Sequence, residues 1–200
     1  MNLYPIVSKS ISALIIAVCL YFVLAANPFV VRDQTHRDSG MKVDRELPAF
    51  QIRNGENFVI TDTDLYGRKY LIYFGYGDCK SVCRTGISKL ETLLSKEEFS
   101  SWNLALISLD PEKDREKQSW MRKYLSRWKR EPILLLPKDR KDAEKIAALF
   151  QVSVSAGFEE SIVHQNPLFV VDETGKIRVV YPDLSGFSEE SLHKLSAKVY

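Results

Sequence analysis

Two cysteines four positions apart, Cys79 and Cys83, are the residues of this chain best placed to do chemistry. They sit in Tyr73-Phe74-Gly75-Tyr76-Gly77-Asp78-Cys79-Lys80-Ser81-Val82-Cys83-Arg84, where an apolar run and two glycines give way to an amphipathic pattern. A C-x-x-x-C pair at a helix start holds its thiols one turn apart, near enough to share a metal ion or close a disulfide. The third cysteine, Cys19, lies in an apolar stretch near the N-terminus, which leaves these two to pair with each other or with something from outside. From Cys83 the apolar positions Ile87, Leu90 and Leu94 follow at helical spacing. That stripe predicts Cys83 as the more buried thiol and Cys79 as the more exposed one. Amides at the helix start, with Lys80 and Arg84 nearby, favour a thiolate at Cys79. In redox work Cys79 would attack and Cys83 would resolve.

For metal binding, soft thiolates select Cu(I) over hard ions, and two sulfurs with one imidazole make a trigonal site. The chain has three histidines. His36 lies in a polar stretch, and His193 stands among Glu189, Glu190 and Lys194 on an expected solvated face. His164, in Ile162-Val163-His164-Gln165-Asn166-Pro167, opens a strand-like run and is the candidate third ligand. On the residues alone, a hydrogen-bonded surface histidine and a static Cys79–Cys83 disulfide stay open as alternatives.

The elements that must position these groups follow from periodicity. Phe50 to Ile60 alternates around Asn54-Gly55-Glu56-Asn57 and reads as a hairpin. Tyr70 to Tyr76 is a strand and Lys80 to Leu94 a helix. Leu104 to Leu109 is a strand, ended by Asp110-Pro111-Glu112, a helix start with an Asp cap and proline in the first turn. That helix carries Trp120, Met121, Tyr124, Leu125 and Trp128 on one stripe. Ile133 to Leu136 is a strand and Asp139 to Phe150 a helix. Ile162 to Val171 and Lys176 to Tyr181 are strands joined by Asp172-Glu173-Thr174-Gly175, and a helix from Ser188 to Val199 closes the chain. A β-α-β-α-β unit with a following β-hairpin and helix is an α/β, thioredoxin-like plan. In open sheets of this kind chemistry sits beyond the carboxyl ends of the strands, where Cys79 falls.

Two hundred residues, 45% of them hydrophobic, suit one globular domain with an appendage. A net charge of +2 and the lack of a basic arm argue against nucleic acid. Three cysteines are too few for a disulfide scaffold. Ile11 to Ala26 is sixteen residues without a charge, and extension to Val31 gives twenty-one, enough to span a bilayer with some tilt. Residues 1–31 are therefore expected to form a single signal-anchor, with a secretory signal cleaved at Val23-Leu24-Ala25 as the alternative, 32–46 a polar linker, and 47–200 the folded domain. The basic residues Arg32, Arg37, Lys42 and Arg45 after the span run against the positive-inside rule. The short head before the apolar run is nonetheless export-like, and the domain is expected outside the cytoplasm.

With these residues in hand, the chain resembles the Sco/SenC family of copper-binding, thioredoxin-like proteins. The matching stretches are Tyr73-Phe74-Gly75-Tyr76 with Cys79-x-x-x-Cys83, Ile107-Ser108-Leu109-Asp110-Pro111-Glu112-Lys113-Asp114, and His164 followed by Leu168-Phe169-Val170-Val171-Asp172-Glu173-Thr174-Gly175. The resemblance spans roughly residues 45 to 195. It implies Cu(I) or Cu(II) held by Cys79, Cys83 and His164, and a metallochaperone that helps assemble the binuclear copper centre of cytochrome c oxidase. It further implies anchorage in the inner membrane with the domain in the periplasm. The implied partners are the copper-bearing oxidase subunit or another copper chaperone, and a thiol-redox partner where the pair works as a reductase. Lys80 and Arg84 replace prolines common in the family, Asp78 stands where His is frequent, and Val163 where Asp is common. The rival function is an extracytoplasmic thiol-disulfide oxidoreductase that uses Cys79 and Cys83 without metal.

Overall fold

The sheet grows outward from strand Lys69–Gly75, every residue of which is buried. The computed structural model describes residues 14–18, 21, 40–79, 82–116, 120–157 and 162–184. Its strands are β1 (Met41–Glu46), β2 (Gln51–Asn54), β3 (Val59–Thr61), β4 (Lys69–Gly75), β5 (Trp102–Ser108), β6 (Ile133–Leu136), β7 (Val154–Ala156), β8 (Ile162–His164), β9 (Leu168–Val171) and β10 (Lys176–Tyr181). Its domain helices are α1 (Val82–Leu94), α2 (Pro111–Asp114), α3 (Trp120–Leu125) and α4 (Arg140–Leu149), and a 3-10 turn covers Asp62–Leu65.

Eight strands form one sheet in the order β1-β10-β9-β4-β5-β6-β2-β3. β4, β5 and β6 run parallel, with Leu71 opposite Leu104 and Leu106 opposite Leu134. β9 and β10 add antiparallel on one side, and the β2–β3 hairpin adds to β6 on the other. Parallel central strands must be covered on both faces, which is why β4 reads as a continuous apolar run rather than an alternating one. Its alternate residues serve two cores. Leu71 and Tyr73 pack with Ile87, Leu90 and Leu93 of α1. Ile72 and Phe74 pack with Ile146 and Ala147 of α4, and with both cysteines. Phe150 wedges Phe74 of β4 and Phe169 of β9 edge-on at 5.2 and 5.3 Å, which locks together the strand ends nearest the cysteines. This is the expected thioredoxin-like α/β plan, with the hairpin as an added edge.

The structure corrects several expectations. The end of the supposed linker is strand β1, paired with β10 from Met41↔Val180 to Glu46↔Lys176. Its acidic residues are held there, Asp44 by Arg178 at 2.7 Å and Glu46 by Lys176 at 3.4 Å. The expected strand from Ile162 to Val171 is broken at Gln165–Pro167. β9 lies in the main sheet, whereas β8, among the described residues, pairs only with β7 in a two-stranded ribbon, Val154 opposite His164. The long helix after Asp110 is two short ones, α2 and α3, and Trp128 lies past the second, buried with Met121 and Leu125.

The chain divides into two units, Met1–His36 and Arg37–Tyr200. In the first, residues 14–18 are helical and exposed. No helix among the described residues is long and apolar enough to cross a membrane. Most of the expected anchor, the closing helix, His36 and His193 lie outside the described residues.

Candidate metal centre

The turn that leaves β4 carries the first ligand candidate. Gly75 ends the strand, and the Cys79 N–H donates to the Tyr76 carbonyl at 3.3 Å, closing a tight turn. Asp114 holds this turn from below. Its Oδ1 accepts the Gly77 N–H at 3.0 Å, and its Oδ2 accepts the Ser108 hydroxyl at 2.7 Å. A side chain at Gly77 would strike Asp114 Oδ1, its Cβ falling 2.6 Å from that oxygen, so the close approach requires glycine. Burial pushes the Asp114 carboxyl up to about 6 against the lowering pull of these two hydrogen bonds.

Cys83 lies in the first turn of α1, fully buried, and its N–H donates to Cys79 Sγ at 3.4 Å. The expected order of burial holds, but its contrast is small. Cys79 is itself 6% exposed, because the turn carries it into the core with Tyr76 and Ile162. Both cysteines are free thiols. The hydrogen bond to Cys79, then burial, then the Cys79 charge push the Cys83 thiol well above the ordinary cysteine range. Arg84 is exposed, and Lys80 lies outside the described residues.

The ribbon strand β8 brings His164 to the pair. Its Nε2 is 3.2 Å from Cys83 Sγ, and the three ligand atoms lie within 4.8 Å of one another. Its Nδ1 is 2.5 Å from the Gln165 carbonyl. A carbonyl can only accept, so Nδ1 carries the proton and the lone pair on Nε2 faces the sulfurs. A ligating histidine is usually held in this way, with its second nitrogen tied to a carbonyl or carboxylate. The site therefore offers two sulfurs and one imidazole nitrogen, a donor set for a soft, thiophilic ion. Both sulfurs are buried and His164 is partly exposed, which leaves the imidazole side as the approach.

The structure thus brings together all three residues singled out from the sequence. Sequence reasoning missed the residues that hold them. The Tyr76 ring stands edge-on to the His164 ring at 5.9 Å, and burial pushes its phenol up from the ordinary tyrosine range. Tyr73, fully buried in β4, donates its hydroxyl to Asn166 Oδ1 just past β8. Asn166 in turn accepts the Leu184 N–H at 2.9 Å through its carbonyl. Asp114 was visible only as the last residue of a Ser-Leu-Asp-Pro-Glu-Lys-Asp segment. A buried acid three residues after a helix-starting proline was its available signal.

Two of the sequence departures have a place here. Asp78 pairs with Lys113 at 3.3 Å, and Lys113 also reaches Asp110 at 3.6 Å. Val163 is 57% exposed, and as the strand neighbour of His164 it points to the opposite face of β8.

A model of the SCO1/SenC family matches residues 40–199, which includes the two cysteines, Asp114 and His164. The chain belongs to the SCO1/SenC family. Among solved structures it is similar to ScoI of Bradyrhizobium japonicum with copper bound, at 24% identity and a TM-score of 0.61, covering 76% of this chain and 99% of that one. It is also similar to ScoI of Arabidopsis thaliana with copper bound, at 18% identity and a TM-score of 0.64, covering 76% and 96%. A third similar structure is BsSco, described as having a disulfide switch and as a member of the Sco family of cytochrome c oxidase assembly proteins. It matches at 18% identity and a TM-score of 0.63, covering 80% and 94%. These likenesses at low identity establish the fold of this SCO1/SenC chain.

Proposed function

We propose that the chain binds copper, as Cu(I) or Cu(II), through Cys79 Sγ, Cys83 Sγ and His164 Nε2, and delivers it during assembly of the binuclear copper centre of cytochrome c oxidase. The observation that carries this is the convergence of two soft sulfurs and one imidazole nitrogen within 4.8 Å from two elements far apart in sequence. The copper-bound ScoI relatives and family membership support it. The domain's residues bind and shield the ion: the sulfurs hold it in the protein interior, and the partly exposed imidazole is the ligand a recipient can replace. The recipient is the copper-bearing oxidase subunit or another copper chaperone. The apolar run from Ile11 to Val31 supports anchorage in the inner membrane, with the domain in the periplasm.

A second function, thiol-disulfide exchange, is favoured by one observation: the two free sulfurs are adjacent and unequal. In it Cys79 attacks a partner disulfide and Cys83 displaces the partner thiol. One panel separates the two: copper stoichiometry of the reduced full chain and of His164→Ala, with the reduction potential of the cysteine pair. Loss of a ligand is expected to weaken copper binding by more than the ~10–100-fold that loss of a supporting outer partner costs. Copper binding that ignores His164, with a potential between about −270 and −120 mV, transfers the function to thiol exchange.

A further inference from the structure

The ribbon that carries His164 is not part of the main sheet. β8 is three residues long and, among the described residues, pairs only with β7, itself three residues long. Such a short two-stranded ribbon is marginal by itself. A ligand histidine on it needs a tie to the element that carries the sulfurs. Tyr76 makes that tie. It stands between the end of β4 and the Cys79 turn, and its hydroxyl meets both backbone groups of Ile162, two residues before His164. It donates to the Ile162 carbonyl at 3.2 Å and accepts the Ile162 N–H at 3.4 Å. Its ring edge packs on the His164 imidazole at 5.9 Å, and the side chain is 7% exposed.

We infer that Tyr76 is a positioning residue for the third ligand, its hydroxyl holding the β8 backbone so that His164 Nε2 meets the two sulfurs. The inference rests on the copper function proposed above. A phenylalanine at this position keeps the ring and its packing and removes the two hydrogen bonds to Ile162 together with the hydroxyl's contact to the Cys79 thiol, so the role belongs to one oxygen atom.

The test uses the full chain as wild type, Tyr76→Phe, His164→Ala and the double variant. In the metal-free protein, Tyr76→Phe is expected to speed exchange of the Ile162 amide hydrogen and to shift the ring-nitrogen NMR signals of His164. With Cu(I) as the probe, Tyr76→Phe is expected to bind about tenfold more weakly, the worth of two ordinary hydrogen bonds. In the His164→Ala background the same change is expected to cost less, because the part that acts through His164 is gone and only the hydroxyl's contact with Cys79 is left. Three results each overturn the inference: wild-type Ile162 exchange in Tyr76→Phe, wild-type copper affinity in Tyr76→Phe, or an equal loss with and without His164. A wild type that takes no copper refutes the proposed function instead, and the metal-free measurements still decide whether Tyr76 holds the strand.

Discussion

At the scale of single residues, the site is defined as much by its supports as by its ligands. Cys79, Cys83 and His164 were legible because each is a residue type with few other uses, and the family pattern supplied their order. Tyr76, Tyr73, Asn166 and Asp114 were not, because tyrosines and short polar residues gain meaning only from what lies opposite them in space. Asp114 shows the difference most clearly. Its carboxyl is buried, accepts from the Cys79 turn, and is pushed up to about 6 against an unfolded value of 3.8. An acid that is harder to ionise when folded weakens the fold once it is ionised. Its contribution is thus most favourable below about pH 4, declines between about 4 and 6, and is level above. The span of the shift corresponds to about 3 kcal/mol. Asp114→Asn keeps an acceptor for the Gly77 N–H and removes the charge. Melting curves of wild type and variant are expected to diverge between about pH 4 and 6, wild type losing stability relative to the variant across that window, with the gap constant from there to about pH 7. Parallel curves would clear Asp114 of the effect.

At the scale of elements, local patterns identified the pieces and long-range packing set their limits. α4 follows its signals: Asp139 caps it by accepting the Asp142 N–H at 2.8 Å. The turn between β9 and β10 likewise follows its residues, with Gly175 at φ +79° and Asp172 Oδ1 accepting the Thr174 and Lys176 amides. The break in Ile162–Val171 was hidden, since Asn166 faces Tyr73 across 93 positions of sequence and no local pattern encodes that bond. α1 holds a direct test of packing against propensity. Gly86 sits inside this helix, where alanine would ordinarily gain about 1 kcal/mol. A Cβ there would collide with the Tyr73 hydroxyl, which is fully buried and engaged with Asn166. Overpacking of this sort costs about 1–3 kcal/mol, so Gly86→Ala is expected to destabilise by up to about 2 kcal/mol in urea titrations. A gain in stability would show that the Tyr73 phenol can move aside.

At the scale of the whole molecule, the order of strands is what makes the site. β4 and β9 are neighbours in the sheet, so the turn after one and the segment before the other meet at the same edge. Ligands drawn from segments 81 positions apart meet only in the folded state, and an ion that binds only that state adds about 2.7 kcal/mol at a hundredfold excess over its Kd. For a chain of this size that is a rise of about 5–10 °C in Tm. Cu(I) is expected to raise the Tm of the wild type by this amount and to leave His164→Ala nearly unchanged at the same concentration. An equal rise in both would mean that the cysteines alone hold the ion.

The 81 positions that separate Cys83 from His164 also have a meaning in time. Chains are synthesised at about 5–20 residues per second, so the thiols emerge about 4–16 s before the imidazole that completes the site. During that interval they are an open pair in whatever redox environment the chain is entering. A disulfide closed then would be inherited by the finished domain. Newly made protein would then need an electron donor before it could take its first ion, and the rate of that reduction would set when each molecule enters service.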